Sequence, residues 1–146
     1  MRLTVFSDYT LRVLMYLAID RTRLATIPEI AAAYGISENH LVKVVHFLGK
    51  EGWIETVRGK GGGISLAMPA DRVSIGAVVR SAEGAALPAE CFSEGGGDCI
   101  ITDGCRLRNV FAEAAKAFDA VLDRYTLADI TRNRKDLRKI LMIQSV

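Results

Sequence analysis

The chain has 146 residues, half of them hydrophobic, and carries 19 Lys and Arg against 17 Asp and Glu for a formal net charge of +2. That length predicts one domain, with at most an appended element, and the apolar content is ample for a core. No apolar run approaches the eighteen or more residues of a membrane span, and Met1-Arg2-Leu3-Thr4 opens no signal peptide, so a cytoplasmic protein with reduced thiols and no membrane partner is expected. The charge is unevenly spread. Residues 1–80 hold ten Lys and Arg against seven acids, 81–104 hold none against five, and 105–146 hold nine against five. Basic flanks around an acidic stretch suggest surfaces of different sign for different partners.

In chain order, Ser7 is a candidate N-cap, and Leu11, Leu14, Met15 and Ala18 follow at helical spacing, which predicts a first helix from about Asp8 to Ile19. Asp8 then sits in the first turn, where a carboxylate complements the helix dipole. Thr26-Ile27-Pro28-Glu29 has the spacing of a capping box with proline in the first turn, and it opens a short helix that stops at Gly35. Ser37 caps the next, whose Leu41, Val44, Val45 and Leu48 repeat as i, i+3, i+4 and i+7 while Asn39, Lys43 and His46 project from the other side. Two helices joined by Tyr34-Gly35-Ile36-Ser37, with Ala31 four residues before the glycine, form a helix-turn-helix: the first packs and the second reads a groove. His40 and His46 lie on that second helix, where contact with DNA or plain solvation is expected rather than metal ligation.

Trp53–Val57 and Ile64–Ala67 then predict a hairpin around Arg58-Gly59-Lys60-Gly61-Gly62-Gly63. Glycines such as Gly62 let backbone approach a phosphate, and Arg58 and Lys60 supply charge. No Lys-Ser or Lys-Thr follows the glycines and no helix opens directly after them, so the phosphate is that of double-stranded DNA rather than of a nucleotide. The fold class is therefore mainly α with a small β-hairpin wing. Ser74 caps a further amphipathic helix with Ile75, Val78, Val79 and Ala82 on one face.

The chain then loosens through Gly84 and Pro88 into the segment holding all three cysteines, Cys91, Cys99 and Cys105, with seven and five residues between them. Glycines and acids fill the gaps, a composition unable to bury three thiols. Thiolates suit zinc, copper(I) or iron-sulfur clusters, and structural zinc sites space their cysteines by two to four residues, so the wider gaps favour a cluster over zinc. A disulfide with one spare thiol is the bland alternative, and the odd count argues against it. Beyond Cys105, a stripe from Leu107 through Val110, Phe111, Ala114, Phe118, Val121 and Leu122 to Tyr125 predicts a helix of roughly 30 Å over Arg106–Tyr125, long enough to act as a dimer interface that suits a two-fold DNA site. Thr126 and Asn133 predict caps of two short final helices.

Met1-Arg2-Leu3-Thr4, Phe6-Ser7-Asp8-Tyr9, the wing Val57-Arg58-Gly59-Lys60 with Gly62-Gly63, the three cysteines and Tyr125-Thr126-Leu127-Ala128-Asp129 together resemble the winged-helix family of iron-sulfur transcription regulators that includes the IscR, RirA and NsrR types. Cys99-Ile100-Ile101-Thr102 and Cys105-Arg106-Leu107 are most similar to the nitric-oxide-sensing NsrR type. The resemblance implies a homodimeric repressor holding a 4Fe-4S cluster, with 2Fe-2S as the alternative, on Cys91, Cys99, Cys105 and Asp8 of the partner subunit, with nitric oxide as the signal. It also implies three segments: residues 1–82 as DNA-binding domain, 83–104 as cluster loop and 105–146 as dimerisation helix with the C-terminal helices. The candidate DNA contacts are Ser37, Asn39, His40, Lys43, His46, Arg58, Lys60 and Gly62. The seven-residue gap between Cys91 and Cys99 instead resembles RirA, the iron-responsive type. A histidine ligand of the IscR kind has no candidate after His46. An enzyme would need a nucleophile with a base, and a loop cysteine with His40 or His46 has no supporting motif, so no enzyme is expected; a zinc-stabilised DNA-binding protein is the remaining alternative.

Overall fold

The computed structural model describes residues 3–84, 89–93 and 97–143. Helix α1 spans Val5–Ile19, α2 Ile27–Tyr34 and α3 Glu38–Lys50; strands β1, Ile54–Val57, and β2, Gly63–Leu66, follow. Then come α4, Ile75–Glu83, α5, Arg106–Leu122, α6, Leu127–Ile130, and α7, Arg134–Ile140, with single 3-10 turns at Ala70–Arg72, Glu90–Phe92 and Thr102–Gly104.

The first helix starts one turn earlier than its periodicity predicts. Thr4, not Ser7, is the cap, its hydroxyl accepting the Ser7 N–H at 3.1 Å. Either residue has the chemistry of a cap; Ser7 is fully buried inside the first turn, and its hydroxyl turns back toward Thr4. The capping box of α2 forms as its spacing predicts: the Thr26 hydroxyl accepts the Glu29 N–H at 3.4 Å, and the Glu29 carboxylate accepts the Thr26 N–H at 2.8 Å. Gly35 ends α2 with φ +64°, the left-handed conformation in which a side chain is strained, and the Ile36 N–H bonds back to the Ala31 carbonyl at 3.0 Å.

The core gathers around α1. Val13, Leu14 and Leu17 of α1 pack with Ile30 of α2, Leu41, Val44 and Leu48 of α3, and Val78 of α4, all at most 3% exposed. The hairpin pairs Ile54 with Leu66, Glu55 with Ser65, Thr56 with Ile64 and Val57 with Gly63. Ile64 also pairs with Ala25, through bonds of 3.0 and 2.7 Å, which seats the wing against the loop before α2. This close approach requires glycine at 63, since a Cβ there would fall 2.6 Å from the Ala25 carbonyl oxygen.

The end of the chain returns to this core. Leu127 is fully buried and donates its N–H to the Val73 carbonyl at 2.9 Å, Thr126 bridges Ser74, and Arg138 of α7 pairs with the buried Asp20 at 3.4 Å. Helix α5 ends at Leu122, shorter than the expected Tyr125. Tyr125 instead offers its carbonyl to the Ile75 N–H at 3.0 Å, and that tie to α4 turns the backbone out of the helix. No helix among the described residues is long and apolar enough to cross a membrane.

Candidate nucleic-acid interface and cysteine centre

Helix α3 divides cleanly. Leu41, Val44, Val45 and Leu48 are buried, whereas Ser37, Asn39, His40, Lys43 and His46 are all exposed. Ser37 holds the N-cap position without a side-chain capping bond. His40 is partly committed: its ring lies 6.1 Å from that of Tyr9 on α1. Val42, which periodicity alone did not single out, is 51% exposed on the face shared with Asn39 and His46.

The wing presents Arg58 and Lys60, both exposed. Among the described residues Lys43, Arg58 and Lys60 make no ion pair, so their charges are available to an anionic partner. Gly62 has a steric reason to be glycine: a Cβ would fall 2.2 Å from the Val57 carbonyl oxygen and 2.9 Å from that of Gly59, to which the Gly62 N–H bonds at 2.9 Å. It shapes the wing tip that carries the two cations.

Asp8 lies in the first turn of α1 and pairs with Arg12 at 2.8 Å, both side chains about half exposed. The Arg12 guanidinium also sits 5.9 Å from the centre of the Tyr9 ring and 5.8 Å from that of Tyr34, within cation–π range. Burial pushes the Tyr34 hydroxyl up to about 12, so the ring stays neutral.

The three cysteines are free thiols. Cys91 is half-buried in the turn Glu90–Phe92, Cys99 is exposed, and Cys105 is half-buried at the N-cap of α5, where the helix dipole favours a negative ligand. Two contacts tie the first cysteine's turn to its surroundings. The Glu90 carboxylate accepts the Asp98 N–H at 2.9 Å, and the Arg108 guanidinium on α5 stands 5.6 Å from the centre of the Phe92 ring. Thr102 closes the turn after Cys99 by donating its hydroxyl to the Cys99 carbonyl at 2.7 Å. Within the single chain, no group of three or more His, Cys, Asp or Glu side chains among the described residues is gathered to hold a metal ion. The donor set nevertheless fits a soft metal or cluster, because all three thiols are unpaired and lie in one short segment ending at α5. From α5, Leu107, Val110, Phe111 and Val121 are 36–56% exposed, an apolar face that the other described residues leave uncovered.

A helix-turn-helix whose second helix bares polar and basic residues, beside a basic glycine-rich hairpin, defines a winged-helix DNA-binding regulator. Residues 3–133 match the family described as Rrf2, iron-dependent transcriptional regulator, and the chain belongs to that family. It is 46% identical over 145 residues, 99% of each chain, to the HTH-type transcriptional regulator NsrR of Bacillus subtilis, and 49% identical over 142 residues, 97% of each, to its namesake of Geobacillus kaustophilus. Among solved structures it is similar to T. potens IscR, with a TM-score of 0.72 at 25% identity over 99% of this chain and 94% of that one. The fold is shared with CymR, the global cysteine regulator of B. subtilis, at a TM-score of 0.72, covering 91% of this chain and 98% of that one. The protein is thus a DNA-binding transcriptional regulator and not an enzyme.

Proposed function

We propose that this protein is a homodimeric repressor that releases its operator in response to nitric oxide, through an iron-sulfur cluster held by Cys91, Cys99 and Cys105 with Asp8 of the partner subunit. The observation that carries the reading is the set of three free thiols leading into a helix whose apolar face is uncovered. Its support is the extensive likeness to regulators named NsrR. The assigned segments are residues 1–82 for DNA binding, 83–104 for the cluster and 105–146 for dimerisation. Ser37, Asn39, His40, Lys43 and His46 read the groove, and Arg58 and Lys60 contact backbone phosphates from the loop that Gly62 shapes.

When bound, the cluster supplies iron that reacts with nitric oxide. The chain's own part is to poise Asp8. A carboxylate is a hard, exchangeable ligand among soft thiolates, and here it has a ready alternative partner in Arg12 at 2.8 Å. Asp8 thus has two partners, Arg12 in its own chain and the cysteine centre of the other, and the choice between them biases the placement of α1 under α3.

An iron-responsive reading, of the kind suggested by the wide Cys91–Cys99 gap, is the alternative. The two separate in one titration. An operator complex of anaerobically purified protein, showing the broad visible absorbance of a cluster, should dissociate after a few equivalents of nitric oxide per cluster. Release by a chelator alone, with nitric oxide inert, would establish the iron reading instead, and colourless protein that binds operator constitutively with zinc would defeat both.

A further inference from the structure

The last turn of α4 sends three polar side chains to three different elements. Arg80 pairs with Asp123, at the C-terminal end of α5, at 2.8 Å. Ser81 donates its hydroxyl to the carboxylate of Glu51, the C-cap residue of α3, at 2.6 Å. Glu83 accepts both the N–H and the hydroxyl of Thr4, the N-cap of α1, at 2.8 and 3.0 Å. One residue later the chain turns through Gly84 and leads to Cys91. Helix α4 has little freedom to slip. Val78 and Val79 are buried in the core, and at Gly76 a Cβ would fall 2.0 Å from an Asp123 carboxylate oxygen and 3.0 Å from its backbone nitrogen.

Exposed pairs of this kind contribute little to stability, whereas the buried face of α4 holds the helix in place. What the three contacts do is add directional polar ties between elements that meet mainly through apolar surface, which resists separation more than sliding. They join the N-terminal turn of α1 that carries Asp8, the far end of the recognition helix, and the far end of α5. In sequence, Cys91 follows seven residues after Gly84, which ends the helix that joins them.

We infer that Arg80, Ser81 and Glu83 form a relay of positioning residues, which couples the state of the cysteine segment and α5 to the placement of α1 and the recognition helix. The inference rests on the sensing function proposed above. None of Arg80, Ser81 and Glu83 belongs to α3, to the wing or to the cysteine segment. Loss of the relay therefore changes how far operator affinity responds to the signal rather than whether the protein folds or loads iron.

The test uses anaerobically loaded full-length protein and a duplex selected from random sequence by the wild type. The readout is the ratio of dissociation constants after and before nitric oxide, with iron content measured alongside. Glu83→Ala should keep its iron and shrink that ratio by roughly 2- to 30-fold, the span by which residues along a coupling network act. Glu83→Gln, which keeps an oxygen to accept from Thr4, should restore most of it. Ser81→Ala, a milder change at an independent contact, should shrink it in the same direction. Unchanged ratios in Glu83→Ala and Ser81→Ala beside a responsive wild type would overturn the relay and leave the sensor standing. Loss of iron from Glu83→Ala would place Glu83 in the ligand set and overturn the relay likewise. A wild type with no response would overturn the sensing function and the relay with it.

Discussion

Lys60 illustrates what one exposed cation contributes. Among the described residues it makes no ion pair, so if it contacts a phosphate as proposed it would replace a condensed counterion without first breaking a bond of its own. Lys60→Ala should weaken binding to all sequences alike and lower the slope of log affinity against log salt by about 0.9, the value for one phosphate contact. An unchanged slope would remove Lys60 from the interface. Glu29 acts on the fold instead. Burial raises its carboxyl, but bonds from the Thr26 backbone and hydroxyl and from Arg23 outweigh that and hold it below the usual range. A depressed folded value stabilises the protein above the unfolded carboxylate range, and this contribution is lost as pH falls through the folded value. With a side chain 38% exposed, the contribution is screened to under about 1 kcal/mol. Thermal unfolding should show Glu29→Gln less stable than wild type at pH 7, with the gap closing below about pH 4.

At the scale of the element, the wing is held from both sides. Ala25 pairs with Ile64 at its base, and the Gly62 N–H bonds to the Gly59 carbonyl at its tip. Because the atoms that crowd a Cβ at position 62 are backbone carbonyls, the tip cannot yield by turning a side chain. Gly62→Ala should therefore displace Arg58 and Lys60 together. Operator affinity should fall by roughly tenfold, about 1.4 kcal/mol, with little change in melting temperature, because the tip is exposed and the core is not disturbed. A drop in melting temperature with unaltered affinity would show the wing tip to be purely structural. Helix α3 presents the complementary case. Its buried stripe settles its roll against α1, and that roll alone determines that Asn39, Val42, Lys43 and His46 face outward.

For the whole molecule the decisive feature is α5, none of whose residues is buried in the single chain. An apolar face of Leu107, Val110, Phe111 and Val121 left to water is the surface on which the proposed second copy would dock. If a second copy docks there, Val110→Asp would bring a carboxylate into the interface at a cost of at least about 1–3 kcal/mol, so sedimentation should report dimer association weakened by at least about 5- to 150-fold. A variant that remains dimeric at wild-type concentrations would place the two-fold contact elsewhere. If the proposed dimer engages a two-fold operator, binding should weaken with dimer loss, since its two half-sites are then bound as a pair.

The sequence by itself determined the helix-turn-helix, the wing and the cysteine segment, because each rests on short-range physics. The Thr26 capping box, the Gly35 turn and the i, i+3, i+4 stripe of α3 are local patterns that the folded chain has no reason to override. The family was equally legible, in motifs scattered from Met1 to Asp129. Other features depend on contacts between residues far apart in the chain, and no spacing rule contains them. Thr4 became the cap of α1 because Glu83, 79 positions later, accepts its N–H and hydroxyl. Tyr125 left α5 because Ile75 claimed its carbonyl, and α6 and α7 returned to α1 because Leu127 found an apolar site and Arg138 found Asp20. The pairing of Asp8 with Arg12, its i+4 neighbour, was in reach of the sequence, but the stacking of Arg12 over Tyr34 was not, since it needs α1 and α2 side by side. Local pattern specifies which elements form; only their packing specifies where each one ends and which polar groups meet, because those outcomes are decided by burial and distance rather than by order along the chain.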